Sequence, residues 1–138
     1  TEVVYPFLEK IGILWQTGNI TPAQEHFISN LVRQKIIVAI DSLPIPAKTA
    51  KRVVLFLPEN ELHEIGLLFY HFLVRKEGFR TYYLGQSVPH SDLKQVYSIH
   101  QPHVIVTAIT SSPGPKELQH TIDSLSQDFP KSVVLASG

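Results

Sequence analysis

The sequence predicts an α/β fold, a doubly wound parallel sheet preceded by part of an α-helical bundle. In the later part of the chain, short apolar runs typical of buried strands alternate with amphipathic stretches typical of helices. Such alternation indicates a parallel sheet joined by right-handed crossovers. In the earlier part, apolar residues recur at intervals of three and four, the spacing of a helix face. We therefore divide the chain into a partial helical bundle at 1–40, a linker at 41–51 and a sheet domain at 52–138.

Two helices are expected in the first part of the chain. The first has an apolar face formed by Val4, Phe7, Leu8, Ile11, Leu14 and Trp15. The second begins with a capping box, in which Thr21 is the cap, Pro22 occupies the first turn and Gln24 closes the box. It runs to about Ile40, and its predicted buried side consists of Phe27, Ile28, Leu31, Val32 and Ile36. Two helices bury little apolar surface by themselves, so we expect them to pack on further helices or on the sheet domain.

The sheet domain is predicted to contain four strands joined by three helices. Prolines at positions 44 and 46 mark the linker that precedes it. Strands are expected at 53–57, 81–84, 104–108 and 133–136. The helices between them are expected at 61–77, 91–100 and 115–126. The crossover helix and the fifth strand expected next would lie beyond residue 138, so we interpret the chain as an excerpt, truncated at its C-terminal end.

Composition limits the classes of partner. The chain has 12 basic and 12 acidic residues, so general electrostatic attraction to nucleic acid is not expected. It contains no cysteine, which excludes disulfides, thiolate zinc ligands and thiol catalysis. It has no signal peptide and no apolar run of about 18 residues. We therefore expect no membrane partner and a cytoplasmic location.

The turns that follow the strands form the expected ligand-binding edge. The carboxyl ends of parallel strands meet at one edge of a sheet, and ligands bind there. His63 lies in such a turn, and Glu61, two residues earlier, can fix the tautomer of its imidazole, as carboxylates do for metal-bound histidines. Small or hydroxylated residues in the turns 85–89, 110–114 and 137–138 permit close approach of a ligand. The sequence contains no dinucleotide fingerprint, P-loop, phosphorylatable aspartate after a strand or G-x-S-x-G elbow.

Four short motifs in the sheet domain resemble those of the cobalamin (vitamin B12)-binding module, which has a Rossmann-like fold. They are Glu61-x-His63-x-x-Gly66, Tyr83-Leu84-Gly85 with Pro89, Thr107-x-Ile109 and Ser137-Gly138. The usual signature of that family is Asp-x-His-x-x-Gly, then Ser-x-Leu, then Gly-Gly. The chain thus has glutamate for aspartate in the first motif and looser versions of the last two. The resemblance covers residues 51–138.

A second resemblance lies in the helical part. Trp15, followed after nine residues by Glu25 and His26, is similar to the Trp-x9-Glu-His motif of MerR-type B12-dependent light-responsive transcription regulators. In that family a DNA-binding helix-turn-helix domain precedes a four-helix bundle and the B12-binding domain. The photoreceptors carry a histidine directly after the tryptophan, whereas this chain has Gln16. A neutral amide is a poor cobalt ligand, which argues against a light-induced bis-histidine state.

The resemblance implies a binding site for cobalamin, as adenosylcobalamin or methylcobalamin. His63 would be the cobalt ligand, and Glu61 would accept the other imidazole proton. The nucleotide tail would enter a groove flanked by the first and last crossover helices. The other implied cofactor residues are Trp15, Glu25 and His26 on the upper face, and Gly66, Leu84, Gly85, Thr107, Ile109, Ser137 and Gly138 along the tail.

Three functions remain open from the sequence. The first is the non-enzymatic sensor region of a MerR-type regulator, in which the cofactor or light state controls homo-oligomerisation, with DNA bound by a domain outside this chain. The second is a methyl-carrying corrinoid protein or the B12 domain of a mutase. The third is a cofactor-free interaction domain that keeps the fold. An upstream helix-turn-helix would favour the first, and a protein that stays colourless with cobalamin would favour the third.

Overall fold

The computed structural model describes residues 18, 20–109 and 114–137. Within this part the helices are α1 (Pro22–Asp41), α2 (Ile65–Lys76), α3 (His90–His100) and α4 (Pro115–Asp128). The strands are β1 (Arg52–Pro58), β2 (Arg80–Val88), β3 (Val104–Ala108) and β4 (Val133–Ser137). The predicted first helix with Trp15, and the terminal Gly138, lie outside the described residues. None of the described helices has the length and apolar composition needed to cross a membrane.

The four strands form one parallel sheet in the order β2-β1-β3-β4. Val53 of β1 lies opposite Thr81 of β2 on one side and Val104 of β3 on the other. Val104 in turn lies opposite Val133 of β4. The predicted α/β fold with a parallel sheet is confirmed.

Each face of the sheet has its own apolar core, because successive side chains along a strand point to opposite faces. On the face covered by α2, which we call the α2 face, the buried residues are Val53, Leu55, Leu57, Leu67, Val106 and Ala108. On the face covered by α3 and α4, the α3/α4 face, they are Val54, Phe56, Leu93, Ile105, Leu125 and Phe129.

Helix α1 packs against α2 and therefore lies on the α2 side of the domain. The predicted capping box is present: Gln24 N donates to Thr21 Oγ1 at 3.2 Å, and Thr21 N donates to Gln24 Oε1 at 2.9 Å. A third core joins the two helices through Val32, Ile36, Ile40 and Leu68, with Ile28 partly buried beside them. The predicted buried side was wrong for Phe27 and Leu31, which are exposed. The residues of α1 that contact α2 are spaced by four and form a narrow stripe along the helix. Phe27 and Leu31 lie outside this stripe.

Two predicted boundaries also differ, and both differences lie at the ligand-binding edge. The helix predicted at 61–77 begins only at Ile65, because a turn at 59–60 with Asn60 at φ 72° delays it. Strand β2 extends past residue 84 to Val88, so Gly85 lies within the strand and not in the turn after it. The pairing of β2 with β1 is irregular there, with Phe56 opposite Gly85. The positive φ of 79° at Gly85 is the bulge conformation that glycine adopts most readily.

Candidate functional site

The segment 59–64, which we call the His63 loop, lies at the carboxyl end of β1 and is bonded to the end of β2. Asn60 N donates to Ser87 Oγ at 3.0 Å, and Ser87 N donates to the carbonyl of Glu61 at 3.2 Å. Gln86 Nε2 donates to the carbonyl of Leu62 at 2.7 Å. Asn60 and Ser87 both have positive φ, 72° and 51°. Backbone strain of this kind is concentrated at functional sites, where surrounding contacts maintain it.

The imidazole of His63 projects from this loop, and one of its two nitrogens has a fixed partner. Nδ1 of His63 lies 3.2 Å from Oε1 of Glu61. The side chain of Glu61 is 3% exposed and that of His63 is 80% exposed. Because a carboxylate only accepts hydrogen bonds, Nδ1 carries the proton in the neutral ring. The lone pair on Nε2 is therefore available to a ligand such as a metal ion, with the ring held in one tautomer by a buried acid.

The next acid, Glu64, ties the His63 loop to two other elements. Tyr83 of β2 donates its hydroxyl to Glu64 Oε1 at 3.0 Å. Arg33 of α1 donates from Nη2 to Oε2 at 3.3 Å and to Oε1 at 3.5 Å. Burial, together with the neighbouring Glu64 carboxylate, raises the pKa of Tyr83 well above its usual value. Tyr83 is thus a protonated donor at any physiological pH.

The predicted upper-face residues of α1 form their own pair. Nδ1 of His26 lies 3.0 Å from Oε2 of Glu25, and Ser29 Oγ donates to Glu25 Oε1 at 2.6 Å. His26 and Arg33 are seven residues apart, so they lie on nearly the same side of the helix and about 10 Å apart along its axis. Because Arg33 contacts Glu64, the side of α1 that carries His26 is the side that meets the His63 loop.

The two predicted site glycines that the structure describes, Gly66 and Gly85, differ in their surroundings. A Cβ built on Gly66, in the first turn of α2, would meet nothing within 4 Å. A Cβ built on Gly85 would lie 3.6 Å from Tyr83 Cε1 and 3.9 Å from Glu64 Oε1. Gly66 therefore faces open space that a ligand can occupy, whereas Gly85 shapes the protein's own bulge. The neighbouring Leu84 is partly buried and packs on the α3/α4 core.

The remaining predicted tail residues do not share one face of the sheet. Thr107 lies opposite Phe56 in register, which puts its side chain on the α3/α4 face, where it is fully buried. Its Oγ1 has no hydrogen-bond partner among the described residues. Ser137 lies opposite Ala108 and so belongs to the α2 face. Ile109 follows β3, and its N–H donates to the carbonyl of Ser137 at 2.8 Å.

The α2 face is open beside β4. Val133 is 60% exposed and Leu135 is 54% exposed, and both alternate with Val134, which packs on the α3/α4 core. In the described structure α2 lies over β2, β1 and β3. Among the described residues, β4 therefore presents exposed apolar side chains on this face.

A separate cleft of about 200 Å³ lies on the opposite side of the same sheet edge. Its lining consists of Phe56, Pro58, Glu59, Val88, His90, His120, Thr121, Ser124 and Leu125. None of the predicted site residues lines it. Among the described residues there is also no group of three or more His, Asp or Glu side chains placed to hold a bare metal ion.

Sequence reasoning missed the Arg33–Glu64–Tyr83 cluster and a buried histidine, His71. Nε2 of His71 lies 2.7 Å from Thr81 Oγ1, and its ring stacks on Tyr83 with the centroids 4.7 Å apart. Burial, and to a lesser degree the Arg75 guanidinium, lowers the pKa of His71 to about 4. The position of Glu64 beside His63 was a signal for its role, but no periodicity links it to Arg33, 31 residues away.

Comparisons with known proteins identify relatives of this chain. A family model described as the B12 binding domain matches residues 1–39. The chain is 31% identical over 132 residues to the HTH-type transcriptional repressor CarH of Myxococcus xanthus, covering 96% of this chain and 44% of that protein. It is 28% identical over 131 residues to the HTH-type transcriptional repressor CarA of the same organism, covering 94% of this chain and 43% of that protein. The chain thus spans less than half the length of these two relatives.

Two solved structures have the same fold. A cobalamin-binding protein from Desulfitobacterium hafniense superimposes with a TM-score of 0.52 and 19% identity, covering 94% of this chain and 63% of that one. The methanol:cobalamin methyltransferase complex MtaBC from Methanosarcina barkeri superimposes with a TM-score of 0.57 and 19% identity, covering 93% of this chain and 51% of that one. The chain is therefore homologous to the repressors CarH and CarA, and it is a B12-binding region whose cofactor is cobalamin.

Proposed function

We propose that this chain is the cobalamin-responsive sensor region of a transcriptional regulator, in which His63 ligates cobalt. Cofactor binding would change how the chain associates with other copies of itself, and a domain outside the chain would contact DNA. In this proposal residues 1–40 form a cap, 41–51 a linker and 52–138 the sheet domain that holds the cofactor. A regulator of this kind works in the cytoplasm.

The observation that carries the proposal is the geometry of His63. Its imidazole is exposed at the carboxyl edge of the sheet, and Glu61 holds the proton on Nδ1 at 3.2 Å. A free Nε2 lone pair on an exposed, tautomerically fixed ring is what an axial cobalt ligand requires. Cobalamin, when bound, would supply a cobalt centre that the imidazole of His63 could ligate.

The surroundings of His63 also suit a large planar cofactor with a long tail. The space beside Gly66 is open, and Val133 and Leu135 of β4 expose an apolar surface on the α2 face of the sheet. We assign the tail to this surface, with Ser137 and Gly138 at its far end. The register puts the side chain of Thr107 on the other face of the sheet, so its predicted contact with the tail would come from that side.

The upper face of the cofactor is assigned to α1 and to the residues before it. His26 lies on the side of α1 that meets the His63 loop, Glu25 is its partner at 3.0 Å, and Trp15 precedes both in the sequence. Glutamate and histidine supply directional hydrogen bonds, and tryptophan supplies a flat apolar surface. A cofactor held between α1 and the sheet edge would contact both parts of the chain.

The relatives favour regulation over catalysis, since the alignments with the two repressors cover 96% and 94% of this chain. The methyl-carrier alternative draws on the fold alone, because the methyltransferase complex is only 19% identical. Gln16, in place of the histidine of the photoreceptors, favours control by cofactor supply over control by a light-induced second histidine ligand.

The test is a cobalamin absorption titration of the wild-type protein, His63→Ala and the control His120→Ala. The protein is mixed with adenosylcobalamin in darkness and freed of unbound cofactor by gel filtration. We expect coloured wild-type and His120→Ala proteins, and a His63→Ala protein with lost or strongly weakened binding. Equal affinity and an equal spectrum for His63→Ala would overturn the ligand assignment. Sedimentation with and without cofactor then tests the regulatory part, which predicts different oligomeric states.

A further inference from the structure

Glu64 is a buried carboxylate whose partners come from two different elements. Its side chain is 8% exposed, while that of Arg33 is 45% exposed. A buried carboxylate without partners is strongly unfavourable, so Glu64 stays in place only while its partners do. Arg33 supplies the positive charge from α1, and Tyr83 supplies a neutral donor from β2.

The direction of this side chain is not explained by the helix it precedes. Glu64 occupies the N-cap position of α2, and its carbonyl accepts from Leu68 N at 2.9 Å. An acidic side chain at this position ordinarily bonds the free N–H groups of its own helix. The Glu64 carboxylate makes no such bond and turns instead to Arg33 and Tyr83. It therefore serves a contact between elements.

Glu64 connects the His63 loop to α1. Asn60, Glu61 and Leu62 each make a bond to residue 86 or 87 at the end of β2. Glu64, the residue after His63, connects to α1 through Arg33. The next residue, Ile65, packs into the apolar core between α1 and α2. A shift of α1 thus acts directly on the residue next to His63.

From this geometry we propose that Glu64 is a positioning residue for the cofactor site, clamped by Arg33 and Tyr83 so that His63 and the His26 side of α1 are held at a fixed separation. The inference rests on the proposed function, since it assumes that cobalamin lies between α1 and the sheet edge. The inference gives Glu64 a role in cobalamin binding without direct contact with the cofactor. It also provides a route by which cobalamin and the packing of α1 influence each other.

The coupling acts in both directions. A cofactor that needs a defined separation between His63 and α1 binds more tightly when the clamp already provides it. By linkage, bound cobalamin must then stabilise the docked position of α1 to the same extent. Loss of the clamp leaves His63 itself intact but makes its position relative to α1 variable.

The experiment compares wild-type protein with Glu64→Gln, Arg33→Met and the double variant. We expect the dissociation constant for cobalamin to rise about 10-fold in each single variant, as for other residues that support a metal ligand. We expect the double variant to be no worse than either single one, because both changes remove the same contact. Arg33→Lys, which keeps the charge, is expected to recover part of the affinity. In Glu64→Gln and Arg33→Met, the fraction of bound cobalamin that shows the absorption spectrum of histidine ligation should be smaller than in the wild type.

Asp128→Asn is the matched control, because it breaks an ion pair to His90 on the other side of the sheet. We expect this variant to bind cobalamin like the wild type. Equal affinity and an equal spectrum in Glu64→Gln, alongside lost binding in His63→Ala, would overturn the positioning role and leave the proposed function standing. Strictly additive losses in the double variant would also overturn it. Wild-type binding by His63→Ala would overturn the proposed function and the positioning role together.

Discussion

Acid should destabilise this protein through His71, a buried histidine of α2. Its pKa is lowered from 6.5 to about 4, first by burial and then by the charge of Arg75. The folded state therefore resists protonation that the unfolded chain accepts. The pKa of His71 is lower in the folded state than in the unfolded state. The free energy of unfolding is therefore undiminished by His71 above pH 6.5, and it falls as the pH drops towards 4.

The size of the effect follows from the shift. The interval from 6.5 to about 4 covers about 2.5 pH units, and each unit corresponds to about 1.36 kcal/mol, so the loss amounts to at most about 3 kcal/mol. Denaturant unfolding of the wild type and of His71→Phe at several pH values measures it. Phenylalanine keeps a ring against Tyr83 and cannot titrate. We expect the free energy of unfolding of the wild type to fall more steeply between pH 6.5 and 4.

Two results would refute this reasoning. Parallel pH profiles of the wild type and His71→Phe would mean that the histidine does not titrate differently in the folded and unfolded states. An NMR titration of the His71 ring in the folded protein with a midpoint near 6.5 would mean the same. The orphaned Nδ1 atom, which is buried without a partner among the described residues, makes the low midpoint the expected result.

Four further substitutions test the candidate site and its surroundings. Thr107→Val should raise the unfolding free energy by about 1 kcal/mol, because it removes a buried hydroxyl without a partner, and a destabilised variant would contradict this. Gly85→Ala should lower the free energy of unfolding by about 1 kcal/mol, because Gly85 has a positive φ of 79° that alanine adopts poorly. Gly66→Ala should not lower it, because Gly66 lies in a helix with open space around it. Equal effects of the two variants in thermal unfolding would contradict this. Gly66→Ala should instead weaken cobalamin binding, and an unchanged titration would remove the tail from that surface. Glu61→Gln should weaken cobalamin binding about 10-fold by loosening control of the His63 tautomer, which the same titration measures.

The sheet could be predicted from the sequence because its signals are local. Each buried strand is a short apolar run, such as 53–57, and each run lies between stretches of helical spacing. The capping box at Thr21 likewise involves residues only three apart. These patterns predicted the number and type of the elements that the structure describes, while the start of α2 was predicted four residues too early. A left-handed residue, Asn60, decides that boundary, and asparagine at that position gave no clear signal.

The site could be predicted only where its residues are neighbours in sequence. Glu61 and His63 are two residues apart, and the contact expected between them is present. The Arg33–Glu64 contact spans 31 positions and depends on how α1 docks, which no local pattern encodes. The separation of Thr107 and Ser137 onto opposite faces depends on strand register, because a shift by one residue reverses every side chain.

The measurement that tests the central claim most directly is electron paramagnetic resonance of the protein loaded with cob(II)alamin, with and without ¹⁵N-labelled histidine. An axial nitrogen splits the signal of low-spin cobalt(II), and the splitting pattern depends on whether that nitrogen is ¹⁴N or ¹⁵N. With His63 as the ligand, labelling the protein's histidines converts each triplet into a doublet, and His63→Ala abolishes the conversion. Triplets that persist in the labelled protein would mean that cobalt keeps its own base, and His63 would not be its ligand.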